Sequence, residues 1–116
     1  MSTKLINPTD DELNANFAVW VAGWRNDPDE GWRNEHGVPI TAVYYRDFTR
    51  SMDAVLPWLN APGWLWHISN DEIHTDKPFT ACVHRGLAEA SASDTNAPRA
   101  CVIALLRANG VEVVCP

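Results

Sequence analysis

Apolar side chains at Leu13, Phe17, Trp20, Val21 and Trp24 recur at helical spacing and predict an amphipathic helix from about Thr9 to Trp24. Thr9-Asp10-Asp11-Glu12 reads as its capping box: the Thr9 hydroxyl accepts from the third helical N–H while Glu12 reaches back to the cap. Asp10 and Asp11 then sit where the helix dipole favours negative charge, and Asn26-Asp27-Pro28 stops the helix. A second stripe, Met52, Val55, Leu56 and Leu59, predicts a helix beginning near Thr49. Pro57 interrupts it, and with no N–H to donate predicts a kink or an early stop. A third stripe, Ala97, Cys101, Ala104, Leu105 and Ala108, predicts a helix from about Asn96 to a C-cap at Asn109-Gly110.

Between the second and third helices the period changes from helical to two. Trp64 to Ile68 alternates with Trp64, Trp66 and Ile68 on one face. Phe79 to His84 places Phe79, Ala81 and Val83 on one face and Cys82 with His84 on the other. The polar stretch Asn70 to Lys77 suits the loop joining them, and Leu87 to Ser93 reads as a third antiparallel strand. Val111 to Val114 forms a short apolar tail, strand or extended. In the irregular stretch 25–43, Gly31-Trp32-Arg33 and Val38-Pro39-Ile40 are expected either to pair as a short hairpin or to remain a long loop. Strands bunched between helices predict an α+β fold, and 116 residues suit one domain spanning 1–116.

The net charge of −6 argues against a nucleic-acid partner, for which a basic face is the expected footprint. No apolar run approaches a membrane span, and Met1-Ser2-Thr3-Lys4 lacks the apolar core of a signal peptide. Cys82, Cys101 and Cys115, an odd number without a CxxC pair, predict free thiols in a reducing cytoplasm.

Val21-Ala22-Gly23-Trp24 is similar to the V-x-G-W signature of the phage ABA-sandwich domain family. The resemblance continues through Tyr45-Arg46-Asp47-Phe48-Thr49 and the small-residue strand Ala88 to Ser93. It ends with Pro98-Arg99-Ala100-Cys101 and Ala104-Leu105-Leu106, so that it spans about Leu13 to Val113. It implies a three-layer α/β/α sandwich around an antiparallel sheet of three to four strands, carried by phages and prophages. It supplies no catalytic residue or activity. The sequence departs from the family at Arg50-Ser51, where an acidic residue tends to follow the Ser or Thr cap.

Candidate chemistry is sparse. Cys82 and His84 share a strand face, with His67 expected across the hairpin, so the three could reach one metal ion. Against this stands the lack of a second ligand pair at suitable spacing. Asp71, Glu72, His74 and Asp76 form an acidic loop without the D-x-D-x-D-G calcium pattern, and no serine lies in a G-x-S-x-G elbow. Six tryptophans are many for this length. Trp20 and Trp24 are expected in the core, Trp64 and Trp66 on the sheet side of it. Trp32 and Trp58 have no evident buried place and, with Tyr44 and Tyr45, are the candidate protein-binding residues, unless they anchor loops over the core edge.

Two readings follow. The first is a phage or prophage accessory protein, without catalytic residues, cofactor or metal, acting in the bacterial cytoplasm by protein binding or as a homodimer, with a host defence or regulatory factor as the partner class. The second is a small metal-assisted hydrolase or nucleotide-binding protein using His67, Cys82 and His84, with Asp71 or Asp76.

Overall fold

Thr9 caps the first helix as its sequence requires: its Oγ1 accepts from the Glu12 N–H, and Glu12 Oε1 accepts from the Thr9 N–H at 3.2 Å. The structure, a computed structural model, describes residues 4–29, 31–40, 47–70 and 76–115. In chain order they form β1 (Lys4–Ile6), α1 (Asp10–Trp20), β2 (Arg25–Asp27), β3 (Gly31–Arg33) and α2 (Met52–Leu59). After these come β4 (Leu65–Asn70), β5 (Phe79–Arg85), β6 (Ala88–Asp94), α3 (Ala97–Ala108) and β7 (Glu112–Val114). Three helices with small, mainly antiparallel sheets make the α+β class expected.

Helix α1 is shorter than its stripe. The Val21 and Ala22 N–H groups both donate to Phe17 O, the Trp24 N–H donates to Ala18 O at 2.7 Å, and Gly23 turns the chain at φ +75°. Trp24 is thereby folded back into the core from outside the helix, whereas Trp20 is 45% exposed, contrary to expectation. Rotation does not separate it from the core, because at about 100° per residue Trp20 shares a face with buried Leu13. Trp20 is the last residue of the helix, and the burial of that face ends before it.

Helix α2 begins later than Thr49. Ser51 is its cap, accepting from the Ala54 N–H, and Pro57 is carried inside without ending the helix. Thr49 is buried instead, its N–H donating to Asn14 Oδ1 at 3.0 Å. Phe48 beside it joins Phe17, Trp24 and Trp58 in a ring cluster with centroid separations of 4.4–5.8 Å.

Sheet β4-β5-β6 is antiparallel in sequence order, with Trp66 opposite Val83 and Ile68 opposite Ala81. On β5 and β6 its inner face carries small residues (Ala81, Val83, Ala90, Ala92), which lets α3 seat closely against these two strands. Residues Ala100 to Leu106 of α3 are all buried, because α1 and α2 cover the side away from the sheet. A helix buried all round needs apolar residues all round, and Val102, Ile103 and Leu106 provide them beyond the alanine face. Among the described residues α3 lies between the sheet and helices α1 and α2, and the sheet's other face is open. That face is too polar to bury: its rows run Ser69–Thr80–Ser93, His67–Cys82–Ser91 and Leu65–His84–Glu89.

Two smaller sheets complete the fold. β1 pairs in parallel with β7, Leu5 opposite Val113, tying the two ends of the described chain. β2 pairs with β3, and β3 also meets the 38–40 segment through an Arg33–Pro39 bridge and an Ile40 N–H to Trp32 O bond of 2.8 Å. The expected hairpin around Asn34 is therefore present, with β2 as an additional strand. All three cysteines are free. Among the described residues no helix is long and apolar enough to cross a membrane.

Candidate functional site

The amino ends of α1 and α3 converge on one polar cleft of about 440 Å³. Asn7, Pro8 and Asp10 line it from the β1–α1 junction, Asp94, Thr95, Asn96 and Arg99 from the β6–α3 junction, and Lys77 and Cys115 from its sides. Asn7 lies in the left-handed region at φ +46°, a conformation asparagine tolerates better than most residues, and its N–H closes the parallel pair on Val114 O at 2.8 Å.

Arg99 is the centre of this arrangement. Its Nε donates to Asp10 Oδ1 at 3.0 Å, its Nη1 to Asp94 Oδ2, and its Nη2 to the Pro8 carbonyl at 2.9 Å. Asp94 is buried, and its other oxygen accepts from the Thr95 hydroxyl and the Asn96 N–H. Burial opposes the charge of Arg99, but the hydrogen bonds and negative charge of Asp94 and Asp10 outweigh it and hold the guanidinium above its ordinary pKa. All three nitrogens of Arg99 have acceptors inside the protein, so the residue fastens one helix start to the other. Among the described residues, the lining of the cleft offers polar groups but no arranged nucleophile and base.

Sequence reasoning gave Arg99 no part in the site, although a signal was present. Arg99 is the third residue of α3, behind the Asn96 cap, and the helix has no acidic residue in its first turn. A cation is unfavourable at that end of a helix unless carboxylates neutralise it. The carboxylates come from Asp94, five residues earlier, and from Asp10, 89 residues away.

The residues singled out from sequence are dispersed. Trp58 is half-buried in the ring cluster, and Trp32 is half-buried against the core at the β2–β3 hairpin. Tyr44 and Tyr45 lie outside the described residues, as do Asp71 and His74. His67 is opposite Cys82 in the register and His84 follows two residues on, all on the open sheet face, with Asp76 exposed in the loop before β5. Yet among the described residues no group of three or more His, Cys, Asp or Glu is placed to hold a metal ion. His67, Cys82 and His84 do share a face, and among the described residues they do not converge as a metal-assisted reaction requires.

Two exposed apolar side chains lie together elsewhere. Leu87 projects from the Gly86-Leu87 turn joining β5 to β6 and is fully exposed, and Leu65, on the open face near the same end of the sheet, is 62% exposed. Gly86, at φ +61°, satisfies the turn, so nothing in the turn's geometry calls for leucine at the next position. Nearby, Arg85 stacks over the Trp64 ring with its guanidinium carbon 5.3 Å from the centroid.

The chain shares its fold with a phage protein. The crystal structure of a phage protein from Bacillus cereus ATCC 14579 is similar over 90% of this chain and 91% of that one, with a TM-score of 0.70 at 10% sequence identity. No family model matches the sequence. No curated protein matches it.

Proposed function

We propose that this chain is a phage- or prophage-encoded accessory protein of the ABA-sandwich kind, acting in the host cytoplasm by binding another protein. The exposure of Leu87 and Leu65 at one end of the sheet carries the reading. A fully exposed leucine on a tight turn is a cost in solubility without any return in folding, and apolar side chains rimmed by polar ones mark protein-binding surfaces. His84 and Glu89, the row across from Leu65, supply the polar rim. Trp32 is a second candidate anchor at the hairpin, while Trp58 serves chiefly to pack the ring cluster. The likeness to a phage protein supports the source of the chain, and its partner class is inferred from the surface alone.

The test is affinity capture from a bacterial host, comparing the wild type with Leu87→Asp and Leu65→Ser after both variants are shown to keep the wild-type melting temperature. A partner retained by the wild type and lost from both variants, and then bound directly by the purified protein, supports the reading. Identical captured sets from all three proteins would refute it.

A further inference from the structure

Among the described residues, strand β6 is an outer strand of its sheet, paired only with β5. Its sequence, Ala88-Glu89-Ala90-Ser91-Ala92-Ser93-Asp94, contains none of the lysines or prolines that usually protect such an edge. Its side chains are short, and it runs the full length of β5. By itself it is a good template for another strand.

Something else occupies that edge. Arg107, in the last turn of α3, donates from Nη1 to the Ser91 carbonyl at 2.8 Å and from Nε and Nη2 to the Val113 carbonyl of β7 at 3.2 and 2.7 Å. One guanidinium thus links the outer edge of β6 to β7. In an antiparallel strand the N–H and C=O of one residue point the same way. A Ser91 carbonyl that meets Arg107 therefore faces away from β5, and by alternation the main-chain groups of Glu89 and Ser93 face outward with it.

We propose that Arg107 is an edge guard: it closes β6 against strand addition, and the strand it excludes is the β6 of a second copy of this chain. The edge is self-complementary. An antiparallel pair centred on Ser91 sets Glu89 of each copy opposite Ser93 of the other, so no two like charges face each other and the backbone groups of Glu89, Ser91 and Ser93 all find partners. The guard acts because a fork of nitrogens satisfies both carbonyls at once and lays the Arg107 side chain across the edge at Ser91. It is independent of the protein-binding role assigned to Leu65 and Leu87, which lie at the end of the sheet rather than along this edge.

Sedimentation velocity on the full chain tests the guard. Arg107→Met removes the hydrogen bonds while keeping a long apolar stem, and Ser91→Pro removes an outward N–H without touching the ladder to β5. Arg107→Met is expected to shift the mean mass towards twice the wild-type value, and the double variant Arg107→Met/Ser91→Pro to return to it. Should Arg107→Met fail to fold, Arg107→Gln, whose amide reaches only one of the two carbonyls, replaces it in the same comparison. A folded Arg107 variant with the wild-type mass overturns the proposal, and so does a heavier species that Ser91→Pro leaves unchanged, since that species pairs through another surface.

Discussion

Arg99 Nε and Asp10 Oδ1, 89 residues apart in sequence, meet at 3.0 Å and join the starts of two helices. Asp94 completes the link from the end of β6, and the Pro8 carbonyl caps it from the β1–α1 junction. Replacing Arg99 by methionine leaves a buried Asp94 without its main partner. Breaking such a pair costs several kcal/mol when fully buried, and the Arg99 side chain is 23% exposed. The expected loss is about 2–3 kcal/mol, read as a lower urea midpoint with an unchanged m-value. Asp10→Asn, at the more exposed partner, is expected to lose less than half of that.

Cys101 is buried in α3, and burial raises its thiol pKa from 9.0 to about 11. The unfolded chain ionises at the ordinary value, so the folded state binds the proton more tightly. Stability from this group is complete below pH 9.0 and declines as the pH rises towards about 11. Urea midpoints between pH 8 and 11 are expected to fall less steeply for Cys101→Ala than for the wild type, once each is referred to its own value at pH 8. A thiol reagent at pH 8 is expected to label Cys82 and Cys115, both half-buried, well before Cys101.

The ring cluster separates packing from binding. Phe17 is fully buried and touches Phe48 and Trp58, so Phe17→Ala is expected to cost about 3–5 kcal/mol. Trp58→Ala, at a half-buried member, is expected to cost about 2–3 kcal/mol and to reduce near-ultraviolet circular dichroism. A Trp58→Ala protein as stable as the wild type would return this residue to the list of surface anchors.

Gly23 stands at φ +75° where the chain leaves α1, and its nearest neighbour, the Glu35 Cβ, would lie 3.7 Å from an added methyl. The space is ordinary, so the cost of Gly23→Ala is conformational, about 1 kcal/mol. Thermal unfolding is expected to show Gly23→Asn between the wild type and alanine, because asparagine accepts the left-handed region more readily. The turn also aligns Trp24, whose indole N–H donates to Glu35 Oε2 at 3.1 Å.

Much of the local structure was readable from neighbouring residues. The capping box, the Asn96 and Asn109 caps and the three alternating strands each depend on side chains within a few positions of one another, and all were found within a few residues of their predicted limits. The exposure of Trp20 was not readable from the stripe alone. Trp20 repeats Leu13 two turns on, and only the tertiary structure decided that the core covers Leu13 and not the last residue of the helix.

The sequence by itself determined the class, the caps, the strand faces and the free cysteines, because those follow from periodicity, local hydrogen bonding and composition. Tertiary structure alone decided the parallel pairing of β1 with β7, the placing of α3 between the sheet and the other helices, and the meeting of Arg99 with Asp10. Each of these joins residues far apart in the chain, where no local propensity selects the partner. A three-residue strand carries too little pattern to name its neighbour, and a guanidinium behind a helix cap signals only that carboxylates must come from somewhere. The fold supplied one of them, Asp10, from the other end of the chain, beside Asp94 five residues before Arg99.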